Sequence, residues 1–526
     1  NNVGYSSVPK KVRRLSLQKG KSGHGEPKAT LSIEHVRSVI VFPSYDDHIP
    51  TLENFRVLRV LDIRSCDLSK GYRLKFLGNL VHLRYLGLVD TRIDHLPEEI
   101  GNLQFLQILD IHGYASRIGS LPSSIICLTQ LKCLYINEKT RVHKGIGRLT
   151  ALEELSCLGI DEDSIDIVEE LGHLAELRML QIKIFSKTNR EENRLDKSLV
   201  ECLNKLYKIQ NLYMYINSGE CNLDGWVAGP QHLRAMKLDG TCSFSALPRW
   251  AVNPSLLQDL SFLEIRVKRL QQEDLEILGR LPALRNLLLM VGHEDLGIHG
   301  RFVVGACSFP CLLRCWLSGF RGPVVFEEGA MPRLVDLEFD FPVQRTREIN
   351  GSFDLGLVNL PSLQQVEVWL QPGGAGEQDV EEAKVAVRHA IEVHPNHPTI
   401  KVNNFCVDEA YALLVTSPLS PFPPFFKPKY PLFLLSFGVN DMSRLADLEL
   451  LQFFAMLKMR EIIGGFDMGL GNRQRPSVTV RFGSVGAQHR GGGGSKTCDQ
   501  EFRISDESWI DEDEGAPALL SPFPLT

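Results

Sequence analysis

The chain has 526 residues, 43% of them hydrophobic and 23% charged, with a formal net charge of −6. This is ordinary soluble composition with ample material for a core. It argues against a membrane-spanning protein: even the apolar "SPLSPFPPFFKPKYPLFLLSFG" has no proline-free, uncharged span of ~20 residues.

The charge is uneven. Residues 1–150 carry 22 Lys+Arg against 13 Asp+Glu, a balance of +9, and the remainder carries −15. A basic first third suggests a face that seeks an acidic partner, either nucleic acid or a neighbouring acidic domain. The first residue is Asn1 rather than Met, so the chain is expected to be a processed product or part of a longer protein. Its opening, "NNVGYSSVPKKVRRLSLQKG", carries no apolar signal-peptide core. The 12 Cys show no framework of pairs, and Cys133, Cys157 and Cys315 fall where a small apolar residue would serve. Free thiols in a reducing compartment are the reading.

From residue 12 onward one phrase recurs, L-x-x-L-x-L. Its first apolar residues are Val12, Val36, Leu58, Leu83, Leu106, Leu131, Leu152, Leu177, Ile209, Leu233, Leu260, Leu284, Leu312, Leu334 and Leu363. The mean interval is about 25 residues, inside the leucine-rich-repeat range of roughly 20–29. The last two apolar residues of each phrase alternate as one short strand, so both point inward. No repeat can bury its leucines alone. Stacking supplies the cover, and each buried leucine then contributes roughly 1.5–3 kcal/mol. The predicted fold is α/β: a solenoid of about 15 repeats, with a parallel sheet on the concave face and short helices and irregular segments on the convex face. "DSIDIVEELGHL" reads as helix, with Ile165, Val168 and Leu171 on one side. In "HLPEEIGNL", Pro97 forbids a strand.

Residues between the inward leucines form outward columns. One reads Gly87, Asp110, Tyr135, Ser156, Gln181, Tyr213, Lys237, Glu264, Leu288, Trp316, Glu338, Glu367. The next runs from Arg64 through His112, Leu158, Lys183, Tyr215 and Asp239 to Trp369. Tyr135, Tyr213, Tyr215, Trp316 and Trp369 share this face and are the candidate protein-binding residues, as exposed aromatics on a rigid sheet make binding hot spots. A third column, directly after each anchor, begins Arg13, Arg37, Arg59, Arg84. It is either a solvated edge or a basic docking ridge.

"FRVLRVLDIRSCDL", "NLVHLRYLGLVDTRIDHLPEEIGNLQFLQILDI" and the closing "LPSLQQVEVWLQPGGAGEQDVEEAKVAVRHAIEVHPNHPTIKV" resemble the leucine-rich-repeat region of plant intracellular immune receptors. These are the coiled-coil, nucleotide-binding, leucine-rich-repeat disease resistance proteins, and the closing phrase is similar to their cereal members. The resemblance covers roughly residues 8–402. It implies a cytoplasmic module that binds a pathogen effector or a guarded host protein. It also implies that the repeats hold the receptor's own nucleotide-binding domain in its off state, and the basic run Arg13, Arg37, Arg59 and Arg84 is the candidate surface for that docking in cis; neither nucleic acid nor an integral membrane segment is expected. The family's P-loop, Walker B acid and Met-His-Asp motif belong upstream. No cofactor or enzymatic activity is therefore expected of this chain, and ADP or ATP only of that upstream domain. The alternative is an intracellular leucine-rich-repeat scaffold that binds a host signalling protein and has no nucleotide-binding domain.

Several phrases mimic other chemistry. Gly20–Ser22 ends like a P-loop, but Leu15 stands where its first Gly is required. In "RGGGGSKT", Ser495 replaces the Gly before Lys496, and a flexible linker is the reading. Cys307, Cys311 and Cys315 lack a convincing fourth metal ligand, and Cys315 sits at an inward position. "HPNHP" reads as a turn ending the solenoid. Residues 1–402 are thus the repeat domain and 403–442 a Pro-rich linker. Residues 443–470 hold a possible helix, with Ser443 as its N-cap, and 471–526 form a Gly-rich then acidic tail expected to be disordered.

Overall fold

The computed structural model describes residues 12–404 apart from 18–32, 42–51, 69–73, 75, 186–193, 218–220, 227–229 and 293–299, together with two later strands, Val478–Phe482 and Gln500–Ile504. The Gly20–Ser22, Ser443–Ile463 and Arg490–Thr497 phrases lie outside the described residues. Sixteen parallel strands form one continuous sheet, from Arg14–Leu17 to Thr399–Asn404. Each strand pairs with those of the preceding and following repeats, so the sheet is continuous from the first of these strands to the last.

The inward positions are buried as the phrase requires: Leu106, Leu109 and Ile111 are each 0% exposed. A backbone ladder fixes the register. Arg13 O accepts from Arg37 N, Arg37 O from Arg59 N, Arg59 O from Arg84 N and Arg84 O from Gln107 N. The same relay ends with Thr399 N donating to Gln364 O. The turn at His394–His397 therefore leads into one further strand. His394 is buried, with its Nε2 3.1 Å from Leu360 O, a packing role rather than a metal one.

The convex returns differ along the chain. After Pro97 and Pro122 the chain makes 3-10 turns, Glu98–Asn102 and Ser123–Cys127, whose Ile100 and Ile125 are buried. Ile165–Leu171 is the expected α-helix and buries Val168 and Leu171. Arg194–Lys205 and Gln272–Gly279 are further helices. The sixteen-residue helix Glu377–Glu392 covers the end of the core through Ala383, Val387 and Ile391. At the opposite end, Gln500–Ile504 pairs antiparallel with the first strand, Ser16 opposite Arg503, and with Val478–Phe482. That pairing covers an edge which would otherwise present open backbone groups.

One register expectation is corrected. Leu158 is an inward residue that pairs with Ile182, and Gly159 takes its place in the outward column opposite Lys183. The cause is a bulge at Cys157, whose φ of 58° inserts one extra residue into the strand. Burial pushes that thiol up to about 12, and the cysteines among the described residues are free.

Candidate protein-binding face

The concave face has a floor and a wall. At the third position of the phrase, Val60, Tyr85, Ile108, Cys133, Met179, Ala235 and Phe262 pack into one outward apolar cluster. Tyr135 and Tyr213 join it and are only 2% and 4% exposed. The sheet does bring these two tyrosines onto the predicted face, but as floor; they are not exposed aromatics as the alternation suggested. Tyr135 Oη lies against the Glu154 carboxylate, and burial holds both phenols well above their ordinary value. Alternation tells which face a side chain takes, not how high its neighbours stand.

Tyr215, Trp316 and Trp369 are half-buried and form the wall with charged neighbours. Lys183 Nζ sits 4.5 Å from the Tyr215 ring centroid and 2.8 Å from Glu138 Oε2. Lys237, one strand on, contacts Asp239 at 3.3 Å and Glu264 at 3.2 Å. Burial raises the Glu264 carboxyl to about 6 despite the Lys237 ammonium. Farther along, Trp316 stands beside Glu338 in register. Trp369 Nε1 donates to Glu338 Oε1 at 2.9 Å. Burial raises the Glu338 carboxyl, and Glu367, Asp336 and Asp340 add like-charge repulsion against the Trp369 bond. The wall is thus aromatic, fixed in orientation and acidic towards its C-terminal end.

Nearer the N-terminus the face is a buried polar network. Asp62 and Arg64 pair at 3.0 Å. His112 Nδ1 contacts Asp110 Oδ1, and both side chains are buried. Gly87 makes room between them: a Cβ there would lie 2.7 Å from both Asp62 Oδ1 and Tyr85 Oη. The sequence columns contained these residues, but nothing in them signalled that the charges would be satisfied by one another.

The third column is assembled as predicted. The ladder sets Arg13, Arg37, Arg59 and Arg84 side by side where the chain enters the sheet. Partial burial lowers the Arg59 guanidinium, and repulsion from Arg37 and Arg84 lowers it further. The run then stops: Gln107 follows, and Lys132 is paired with Glu153 at 2.7 Å. Among the described residues no group of His, Cys, Asp and Glu is arranged to hold a metal ion, and no helix is long and apolar enough to cross a membrane.

A stacked parallel sheet with one leucine phrase per coil defines a leucine-rich-repeat solenoid. A family model described as a leucine-rich repeat region matches residues 35–400, and the chain belongs to that family. Its curated relatives are plant disease resistance proteins. The chain is 25% identical over 395 residues to Disease resistance protein RGA5 of Oryza sativa subsp. japonica, covering 73% of this chain and 34% of that one. It is 27% identical over 392 residues to Disease resistance protein RPP8 of Arabidopsis thaliana, covering 70% and 40%. The chain thus spans little more than a third of the length of these relatives. Among solved structures, a leucine-rich-repeat protein of Leptospira interrogans aligns at 17% identity over 67% of this chain and 92% of its own, with a TM-score of 0.41.

Proposed function

We propose that this chain is the recognition and autoinhibition module of an intracellular plant immune receptor, without enzymatic activity of its own. The observation that carries the reading is the aromatic wall: Tyr215, Trp316 and Trp369 stand half-buried on one sheet, with Tyr215 held by Lys183 and Trp369 by Glu338. Side chains immobilised before binding lose little entropy on contact, which favours them as anchors. Tyr135 and Tyr213 lie in the floor of the same face. The partner is a pathogen effector or a guarded host protein. The plant disease resistance relatives support this assignment.

The ridge of Arg13, Arg37, Arg59 and Arg84 serves a second contact, docking in cis on an acidic part of an upstream nucleotide-binding domain. A single surface pair is worth only ~0–1 kcal/mol. Four together reach the few kcal/mol that bias a two-state switch. Nucleotide chemistry resides in that upstream domain, so residues 1–402 are expected to show no ATPase activity.

The test is made in the full-length receptor in a transient leaf assay. Alanine at Tyr215, Trp316 and Trp369 abolishes recognition of the cognate effector while the resting state stays quiet. Reversing Arg37, Arg59 and Arg84 to Glu gives cell death without pathogen. A triple-alanine receptor that accumulates and still responds refutes the binding role; a charge-reversed receptor that accumulates and stays silent refutes docking.

A further inference from the structure

The charge at the head of the first repeats has a shape as well as a sign. Arg13, Arg37 and Arg59 are rooted on successive rungs of the ladder, about 4.8 Å apart. With His35, Val57 and His82 they line an open cleft of about 330 Å³. Arg37 and Arg59 make no ion pair with any described residue. The backbone therefore holds guanidinium groups together against their mutual repulsion, which adds to partial burial in lowering Arg59. An anion in the cleft would relieve that repulsion.

Three features decide which anion. The uninterrupted cationic run is short: Gln107 is neutral, Lys132 is paired with Glu153, and the arginines that return on this column, Arg178, Arg234 and Arg285, are separated by Gln210 and Ser261, so a polymer tracking along the solenoid would meet charge only intermittently. The cleft suits a small molecule better than the surface of a folded domain. Each arginine offers a planar fork that can pair with phosphate oxygens two at a time, and backbone rungs about 4.8 Å apart root these forks within reach of one small polyanion. From this geometry we infer that the cleft of Arg13, Arg37 and Arg59 binds a compact polyphosphate anion, one per chain. Where the ridge also docks in cis, as proposed above, the anion competes for the same arginines; the binding itself does not rest on that reading.

The experiment is calorimetric titration of inorganic tripolyphosphate into the full chain at low salt. The expected result is saturable one-to-one binding that weakens as salt is added. Arg37→Ala with Arg59→Ala weakens it at least about tenfold, the loss of roughly 1.4 kcal/mol or more. Arg37→Lys with Arg59→Lys, which keeps the charge but not the forks, falls between. Lys132→Ala leaves it unchanged. Circular-dichroism melting of each variant confirms an unaltered fold, and if the alanine pair fails to fold the lysine pair carries the comparison. Absence of saturable binding, or equal binding by the parent and the folded arginine variants, overturns the site. So does tighter binding of a single-stranded oligonucleotide than of tripolyphosphate, which would mark a polymer track. Tripolyphosphate binding beside a silent charge-reversed receptor refutes docking and leaves the anion site standing.

Discussion

Residues 85–135 and residues 179–291 build the same repeat in two ways. In the first region the strands Tyr85–Gly87, Ile108–Asp110 and Cys133–Tyr135 are three residues long, and the returns between them are 3-10 turns. In the second, the strands Met179–Ile184, Asn211–Ile216, Phe262–Val267 and Asn286–Val291 are six residues long, and two of the returns are α-helices. The inward leucines are the same in both. What the longer strands add is a further outward column, in which Lys183, Tyr215 and Asp239 pair across three strands and Arg266 pairs with Met290 across the next two. The core ladder is thus independent of the width of the face it carries. The narrow region carries the buried Asp110–His112 pair, and the wide region begins the wall of half-buried aromatics.

If the ladder is common, breaking it should cost the same in either region. Leu109 and Leu263 are both fully buried. Leu109→Ala and Leu263→Ala should each cost ~2–5 kcal/mol locally, the range for truncating a buried leucine. Nearest-neighbour coupling confines the damage to adjacent repeats. Hydrogen exchange measures it; unchanged protection around Leu86 and Leu134 in the Leu109 variant would contradict the register.

The next effect separates the regions by pH. In the narrow region burial disfavours the His112 cation, but Asp110, with help from Asp90, outweighs it and raises the imidazole above its ordinary value, with Arg64 opposing. A raised folded value stabilises the protein below the unfolded value of about 6.5 and ceases to do so as pH rises through the folded one. The thermal-melting advantage of the parent over His112→Gln should therefore be largest near pH 6 and shrink by about pH 9. In the wide region Glu264 is raised to about 6, so its contribution is present below about 4.3 and is lost as pH rises through 6. A His112→Gln difference that does not change with pH would show that the pair gains nothing from charge.

The sequence was most legible where the physics is periodic. Fifteen of sixteen strands followed from the leucine phrase alone. The sixteenth escaped because His397 stands where its anchor leucine should, leaving only Ile400 and Val402 of the phrase. The slip at Cys157 escaped because a positive φ at a cysteine has no compositional signature. The apolar floor was present at the third position of each phrase, legible in principle, yet side-chain height is set by neighbours on other strands. The arginine ridge was read correctly as a column, but its cleft depends on His35, Val57 and His82, which precede the anchors and belong to no counted position.

The smallest expected effect concerns how convex turns are tied between repeats. In the narrow region the Glu98 carboxylate reaches forward and accepts from Ser123 N at 3.0 Å and Ser124 N at 2.9 Å. These amides open the 3-10 turn Ser123–Cys127 and have no partner within it, so the carboxylate satisfies donors that are otherwise left to water. At the junction between the regions Glu170 reaches backward and accepts from Gly145 N at 2.6 Å, at the head of the turn Ile146–Arg148. The direction differs while the chemistry is shared, so each contact should act on its own turn only. Glu98→Ala should speed hydrogen exchange at Ser123 and Ser124 and leave Gly145 unchanged; Glu170→Ala should do the reverse. The bonds from Ser124 and Ser123 hold the Glu98 carboxyl below its ordinary value. Its contribution is therefore present above an unfolded value of about 4.3 and lost as pH falls through the folded one. Faster exchange at both turns in either single variant would mean that the two regions are coupled along the convex side as well as through the sheet.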